Sequence, residues 1–97
     1  MSNYKIKRKA FNDMEVIFDY IAKNNKKAAQ KLIKNFYDIF EKISSFPEIG
    51  KLRKDFTYKN VRFFTFKRYY LIIYNIEDDI VCIQRVLTAY QDICALL

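Results

Sequence analysis

Histidine is absent from this sequence of 97 residues. Its absence excludes Ser-His-Asp and Cys-His catalysis, every His-ligated metal site and any imidazole pH switch. The single glycine excludes the glycine-rich phosphate loops of P-loop and Rossmann proteins. The two cysteines, Cys82 and Cys94, are too few for a disulfide framework or, without histidine, for a zinc site. We therefore expect no metal and no organic cofactor, so any activity must use lysine, arginine, tyrosine, carboxylates or surface shape.

Long apolar runs are absent as well. The longest, Tyr69 to Tyr74, is far shorter than the ~20 residues that a membrane helix needs. The basic N-terminus has no apolar stretch behind it that could form a signal peptide. The composition, 52% hydrophobic and 18% aromatic, is sufficient for one packed core. These features predict a single cytoplasmic domain over residues 1–97, with no membrane partner and with both cysteines reduced.

The net charge of +7 is unevenly distributed along the chain. Residues 1–12 carry +4, residues 13–50 are balanced, residues 51–68 carry +6 and residues 69–97 carry −3. Two basic segments of this kind attract an anionic partner such as DNA, RNA or an acidic protein.

The first half of the chain predicts a short strand followed by two helices. Residues 4–8 alternate apolar and charged side chains, as in a half-buried strand. Asn12 and Glu15 have the spacing of a capping box, which predicts a helix that begins after Asn12. Asn24-Asn25 ends that helix, and a second amphipathic helix begins near Lys26. Together the two helices predict an antiparallel hairpin with an apolar face on each member.

The second half predicts a sheet. Pro47 and Gly50 end the helical half, since proline cannot continue a helix and glycine gives the backbone freedom to turn. Residues 61–66, 69–76 and 80–87 are rich in β-branched and aromatic residues and are joined by short polar links, which is typical of an antiparallel meander. Residues 88–97 resemble a short C-terminal helix or tail. The predicted fold is an α+β, two-layer sandwich of order β-α-α-β-β-β, with the helical hairpin packed on the sheet.

Several short motifs, in this order, resemble the RelE/ParE superfamily of type II toxin–antitoxin toxins, in particular its ParE-like plasmid stabilisation branch. They are Ala10-x-x-Asp13, Ile17-x-x-Tyr20-Ile21, Ala28-Ala29, Pro47-x-x-Gly50-Lys51, Val61-Arg62, Tyr70-x-Ile72-x-Tyr74, Ile83-x-Arg85-Val86-Leu87 and Asp92-x-x-x-Leu96-Leu97. The resemblance implies a growth-inhibiting toxin that a cognate antitoxin holds inactive. ParE-like members poison DNA gyrase without a known catalytic site, and RelE-like members cleave messenger RNA on the ribosome. Family members often have histidine after the last strand, where this chain has Thr88.

A RelE-like ribonuclease is the first hypothesis. Such an enzyme needs a base for the 2′-OH, positive charge on the phosphate and an acid for the leaving oxygen. Without histidine, lysine, arginine and tyrosine would have to supply all three. The candidate catalytic residues are Lys54, Arg62, Arg85 and Tyr90, and this hypothesis requires Arg62 and Arg85 to converge with Tyr90 on the open side of the sheet.

A ParE-like inhibitor that acts by binding is the second hypothesis, and we favour it because the basic and tyrosine residues are not dense enough to demand a nuclease. The candidate residues for binding an anion or the target are Lys51, Arg53, Lys54, Lys59, Arg62 and Arg85. Both hypotheses include an acidic antitoxin that folds along an apolar groove. The candidate groove residues are Val16, Tyr20, Tyr37, Ile93 and Leu97. A folded member of the family that has lost its activity is a third possibility.

Overall fold

The computed structural model describes residues 3–52 and 60–88, which form two α-helices on a five-stranded sheet. The elements in chain order are β1 (Tyr4–Ile6), α1 (Arg8–Ala22), α2 (Lys26–Ser45), a short 3-10 helix (Pro47–Ile49), β2 (Lys51–Leu52), β3 (Arg62–Phe66), β4 (Tyr70–Glu77) and β5 (Ile80–Thr88). The predicted α+β fold, with its helical hairpin and its three-stranded meander, is confirmed. The predicted C-terminal helix lies outside the described residues, except that Thr88 ends β5.

The strands are ordered β1-β5-β4-β3-β2 across the sheet. Neighbouring strands are antiparallel except β1 and β5, which are parallel. A parallel pair needs a long crossover connection, and the chain between β1 and β5 contains both helices. The predicted central position of residues 69–76 is confirmed, since β4 has two strands on each side. The two-residue strand β2 was not predicted.

The predicted start of the first helix is wrong. Helix α1 begins at Arg8, so Asn12 lies inside it, and Lys7 occupies the N-cap position. The backbone N–H of Lys7 donates to the carbonyl of Ile83 over 2.9 Å, which extends the pairing of β1 with β5 up to the helix itself. Ala10, on the first turn, is fully buried, and this packing favours an earlier start than the capping-box pattern indicated.

The predicted start of the second helix is confirmed. Asn25 is the N-cap of α2, and its side-chain oxygen accepts a hydrogen bond of 3.0 Å from the backbone N–H of Ala28. A side chain in this position satisfies one of the N–H groups that lack a partner in the first turn of a helix.

The main core lies between the helices and one face of the sheet. Its fully buried members include Phe36, Phe40, Ile43, Ile72, Ile83 and Tyr74. A second apolar cluster, formed by Val61, Phe63, Ile73 and Leu87, lies on the opposite face. The face toward the helices is called the helix face below, and the opposite one the open face. Neither helix in the described part of the chain has the length and hydrophobicity that a transmembrane span requires.

Candidate functional site

Arg85 on β5 forms a bidentate ion pair with Asp13 on α1. Its Nε donates to one carboxylate oxygen over 2.7 Å and its Nη2 donates to the other over 2.9 Å. Only 16% of the arginine side chain and 14% of the aspartate side chain is exposed. The hydrogen bonds from the guanidinium to Asp13 raise the pKa of Arg85 above its ordinary value, although burial acts in the opposite direction. A two-point contact with this little exposure holds the guanidinium in one orientation.

The same carboxylate closes the edge of the sheet. Strand β1 pairs with β5 only as far as Ile83, and α1 continues along β5 from there. The backbone N–H of Val86 donates to the Asp13 Oδ2 over 3.0 Å. The carboxylate thus takes the place of the strand partner that a longer β1 would provide. Asp13 therefore satisfies a backbone donor and a guanidinium together, and links α1 to the end of β5.

Arg62 on β3 belongs to a different cluster, centred on Tyr74. The Arg62 Nη1 donates to the carbonyl of Gly50 over 2.8 Å. The Tyr74 hydroxyl accepts from the N–H of Gly50 over 2.9 Å and donates to the carbonyl of Pro47 over 2.5 Å. Tyr74 is fully buried, and burial raises the pKa of its phenol, so the hydroxyl remains a donor at neutral pH. This cluster fastens the turn at residues 47–50 to the middle of the sheet.

The conformational reason proposed for Gly50 is wrong. Its φ of −79° and ψ of 153° describe ordinary extended backbone, which any residue can adopt. A Cβ at this position would lie 2.5 Å from the Tyr74 hydroxyl and 2.7 Å from a ring carbon. Glycine is needed here because there is no space for a side chain.

The strand register places Arg62 and Arg85 on opposite faces of the sheet, so the predicted convergence on the open face is wrong. Arg62 is opposite Tyr74 in the register of β3 and β4, and Arg85 is opposite Ile73 in that of β4 and β5. Residues directly opposite each other in an antiparallel pair share a face, and consecutive residues of a strand alternate faces. Arg62 therefore lies on the helix face and Arg85 on the open face.

A basic cleft of about 600 Å³ lies on the open face beside Arg85. Lys7, Arg8 and Lys9, where β1 meets α1, line one side of it. Amide side chains line much of the rest, namely Asn60, Asn75 and Gln84. Arg8 and Lys9 are exposed to solvent. The cleft therefore combines several cations with neutral hydrogen-bonding groups.

One carboxylate organises the polar side of this cleft. Glu77 accepts from Lys7 over 3.3 Å, from Asn75 over 3.2 Å and from Gln84 over 3.4 Å. Gln84 also donates to the Asn75 carbonyl oxygen over 2.8 Å. These hydrogen bonds, first that from Asn75 and then that from Lys7, hold the pKa of Glu77 below its ordinary value. Glu77 is therefore ionised at neutral pH and forms an exposed ion pair with Lys7.

An apolar groove of about 430 Å³ runs between α1 and the turn that joins β3 to β4. Val16 and Tyr20 line it from the helix, and Tyr69 and Tyr70 line it from the sheet. Val16 is 69% exposed and Tyr20 is 73% exposed. Large apolar side chains exposed together in a concavity are typical of a protein-binding surface.

Tyr37, the third predicted groove residue on the helices, lies elsewhere. Its ring packs edge-on against Phe40 at 5.9 Å, and the Phe40 ring packs against Tyr4 at 5.7 Å. Tyr37 is 36% exposed and does not line the groove of Val16 and Tyr20. The described part of the chain brings together only two of the predicted antitoxin residues.

Comparison with known proteins identifies the family. The family model described as ParE toxin of type II toxin-antitoxin system, parDE, matches residues 4–93. The chain belongs to the ParE toxin family. A chain of a solved structure, the chromosomal ParDE TA system from P. aeruginosa, has a similar fold with a TM-score of 0.72 and 21% identity, over 91% of this chain and 96% of that chain. No curated protein matches the sequence.

The family assignment confirms the resemblance seen in the sequence. This ParE-family chain is a type II toxin, and a toxin of this kind has an antitoxin partner. Several residues with predicted roles lie outside the described ranges, so those roles stay predictions: Arg53, Lys54, Lys59, Tyr90, Ile93 and Leu97. Lys51 is described, is exposed and pairs with Phe63 at the end of β2, where it adds a positive charge to the open face.

Two features of this ParE-family toxin were missed by sequence reasoning. Asp13 received no role of its own, although its place between the buried residues Ala10 and Met14 was a usable signal for a carboxylate that needs a partner. The basic segment that contains Lys7, Arg8 and Lys9 was recognised, but its place in a cleft was not. The cleft forms because β1 lies next to β5 in the sheet, and this strand order cannot be read from the local sequence. Among the described residues no cluster of His, Cys, Asp and Glu could hold a metal ion.

Proposed function

We propose that this toxin acts by binding DNA gyrase, without catalysis, and that an acidic antitoxin neutralises it. The observation that carries the proposal is that both strand arginines are hydrogen-bonded to other parts of the fold. Arg85 is bonded to Asp13 and Arg62 to the Gly50 carbonyl, on opposite faces of the sheet. Both arginines therefore have structural partners, which favours a binding mode of action over RNA cleavage.

A ribonuclease of the RelE type would need a different arrangement. Charge must be aimed at the phosphate as negative charge develops in the transition state, and the donors must be in place before the reaction. Arg85 would have to exchange a bidentate carboxylate for the substrate, and Arg62 lies on the other side of the sheet. Cys82 offers no alternative nucleophile, because it is 2% exposed and burial raises the pKa of its thiol.

The basic surface supports an anionic target or partner. Residues 1–12 and 51–68 carry +4 and +6, and the cations described on the open face include Lys7, Arg8 and Lys51. Charge of one sign raises the association rate for an acidic partner and makes that rate sensitive to salt. Gyrase acts in the cytoplasm, so the proposed target places the toxin there.

The test is a direct comparison of two activities of the purified protein. In one reaction it is added to gyrase and relaxed plasmid, and supercoiling is followed on a gel. In the other it is added to translating ribosomes, and new RNA 5′ ends are mapped. We expect loss of supercoiling, reversed by the antitoxin, and no new RNA ends. Codon-phased cleavage of the message with gyrase unaffected would overturn the proposal.

The apolar groove is proposed as the antitoxin site. The double variant Val16→Glu/Tyr20→Glu places two acids where an acidic partner would dock, and both side chains are already exposed, so folding should persist. We expect the Kd for the antitoxin to rise about 30-fold or more, corresponding to about 2 kcal/mol, as for a pair of interface hot spots. Isothermal titration calorimetry measures this change.

A matched control lies on the same helix. Phe11 is 48% exposed and does not line the groove, so Phe11→Glu exchanges an apolar side chain for an acid elsewhere on α1. We expect this variant to bind the antitoxin within about 3-fold of the wild type, in line with the small effect of changes outside an interface. Equal losses of antitoxin affinity in the groove variant and the control would show that the groove is not the antitoxin site.

A further inference from the structure

The basic cleft on the open face has the properties of a site for a polyanion. Lys7, Arg8 and Lys9 present three consecutive cations along one side, at the junction of β1 and α1. Consecutive residues point in different directions in regular structure, but the change from strand to helix at Lys7 allows all three to line one concavity. The volume of about 600 Å³ and its open form suit a chain of charged groups that passes through.

The start of α1 adds to this positive potential. Its first turn carries no acidic residue, and within residues 3–52 and 60–88 no side chain caps it. The first N–H groups of a helix have no partner inside the helix, and the helix dipole makes this end partly positive. The cations of the cleft and the N-terminal end of α1 therefore both favour the binding of an anion.

Glu77 is the one carboxylate among the described residues that line the cleft. It lies 3.3 Å from the Lys7 Nζ, and both side chains are nearly half exposed, at 43% and 46%. An exposed pair of this kind contributes little to stability and exchanges readily with other ions. A phosphate that enters the cleft would find Lys7 already paired with the Glu77 carboxylate.

We propose that the cleft binds the sugar–phosphate backbone of a nucleic acid, and that Glu77 competes with a phosphate for Lys7. The phosphates contact Lys7, Arg8 and Lys9, and the side-chain N–H groups of Asn75 and Gln84 donate hydrogen bonds to sugar and phosphate oxygens. DNA and RNA share this backbone chemistry. The site is separate from the apolar groove, and it stands whether or not gyrase is the target of the toxin.

The lining favours nucleic acid over an acidic peptide. A peptide that folds on binding must bury apolar side chains to offset the entropy of ordering. The lining of the cleft is about equally polar and apolar, with cations and amides beside Val61, Ile73 and Ile76, whereas the lining of the groove beside Tyr20 is mostly apolar. A phosphate backbone binds through cations and the release of counterions, and it needs no apolar surface.

The experiment measures binding of fluorescent 12-nucleotide duplex DNA and single-stranded RNA at several salt concentrations. The double variant Arg8→Glu/Lys9→Glu removes two cations, and acids in the first turn of a helix favour the helix, so folding is preserved. We expect affinity to fall roughly ten-fold or more at low salt, and the slope of log K against log salt to decrease by about 2. The matched control, Lys31→Glu/Lys34→Glu, makes the same change of charge on exposed positions of α2 and should keep most of the affinity.

Glu77→Gln is the sharper variant, because it should strengthen binding. Removal of the competing carboxylate should raise affinity roughly three-fold or more and increase the salt slope by up to about 1. The proposal is overturned if neither DNA nor RNA binds the wild type at low salt, if the α2 control loses as much affinity as the cleft variant, or if Glu77→Gln leaves affinity unchanged. A polyglutamate peptide that binds as tightly, with the same dependence on the variants, would also overturn it and would assign the cleft to an acidic protein.

Discussion

Gly50→Ala should lower the free energy of unfolding by about 3 kcal/mol, the upper range for inserting a methyl group into a filled space. The new Cβ would lie 2.5 Å from the Tyr74 hydroxyl and 2.9 Å from the ring carbon that carries it. Tyr74 cannot move away easily, since it is fully buried and its hydroxyl bridges Gly50 and Pro47. Urea unfolding, followed by circular dichroism, measures the loss.

A control and a second variant separate the causes. Ser45→Ala, at the exposed end of α2, should change the free energy of unfolding by less than about 0.5 kcal/mol. Tyr74→Phe keeps the ring but leaves the Gly50 N–H and the Pro47 carbonyl without the hydroxyl, at a cost of about 1–3 kcal/mol. A Gly50→Ala protein as stable as the Ser45 control would show that residue 50 has space for a side chain.

Asp13→Ala should also be strongly destabilising, by about 3 kcal/mol, because it removes one partner of a largely buried ion pair. The Arg85 guanidinium and the Val86 N–H would both lose their hydrogen bonds to the Asp13 carboxylate. Asp13→Asn should cost less, because the amide oxygen can still accept from Val86. The measurement is the same urea unfolding.

Asp19→Ala is the matched control, an exposed aspartate on the same helix, for which we expect a change below about 0.5 kcal/mol. If Asp13→Ala and Asp19→Ala are equally stable, the Asp13–Arg85 pair has no structural role. A double-mutant cycle of Asp13 and Arg85 adds a direct value for the coupling, expected above about 1 kcal/mol for residues in one hydrogen-bonded network.

Local patterns in the sequence predicted most of the fold. The apolar spacing of α1 and α2 and the β-branched and aromatic composition of β3, β4 and β5 each report on the environment of neighbouring residues. The start of α1 was missed because it depends on a tertiary contact, the bond from Lys7 to Ile83. The position of β1 beside β5 is equally non-local.

The faces of the two arginines could not be predicted, for a specific reason. The register of β4 and β5 shifts between Ile73 and Tyr74, so that Gln84 is an extra residue between the paired positions Ile83 and Arg85. Regular alternation from Ile83 would place Arg85 on the helix face, with Arg62. This irregularity has the effect of a β-bulge, because it moves Arg85 to the open face. No pattern of residues in the sequence predicts it.

We propose that Arg85 supports the fold and performs no chemistry on RNA. The most direct test is growth arrest by the variant Asp13→Asn/Arg85→Met, in which the asparagine oxygen can still accept from Val86 and a neutral chain fills the place of the arginine. Replacing both members of a buried pair is often nearly neutral for stability. We predict that the folded variant arrests growth as the wild type does and that the antitoxin reverses the arrest. A variant that folds and binds the antitoxin but no longer arrests growth would show that Arg85 takes part in the toxic activity.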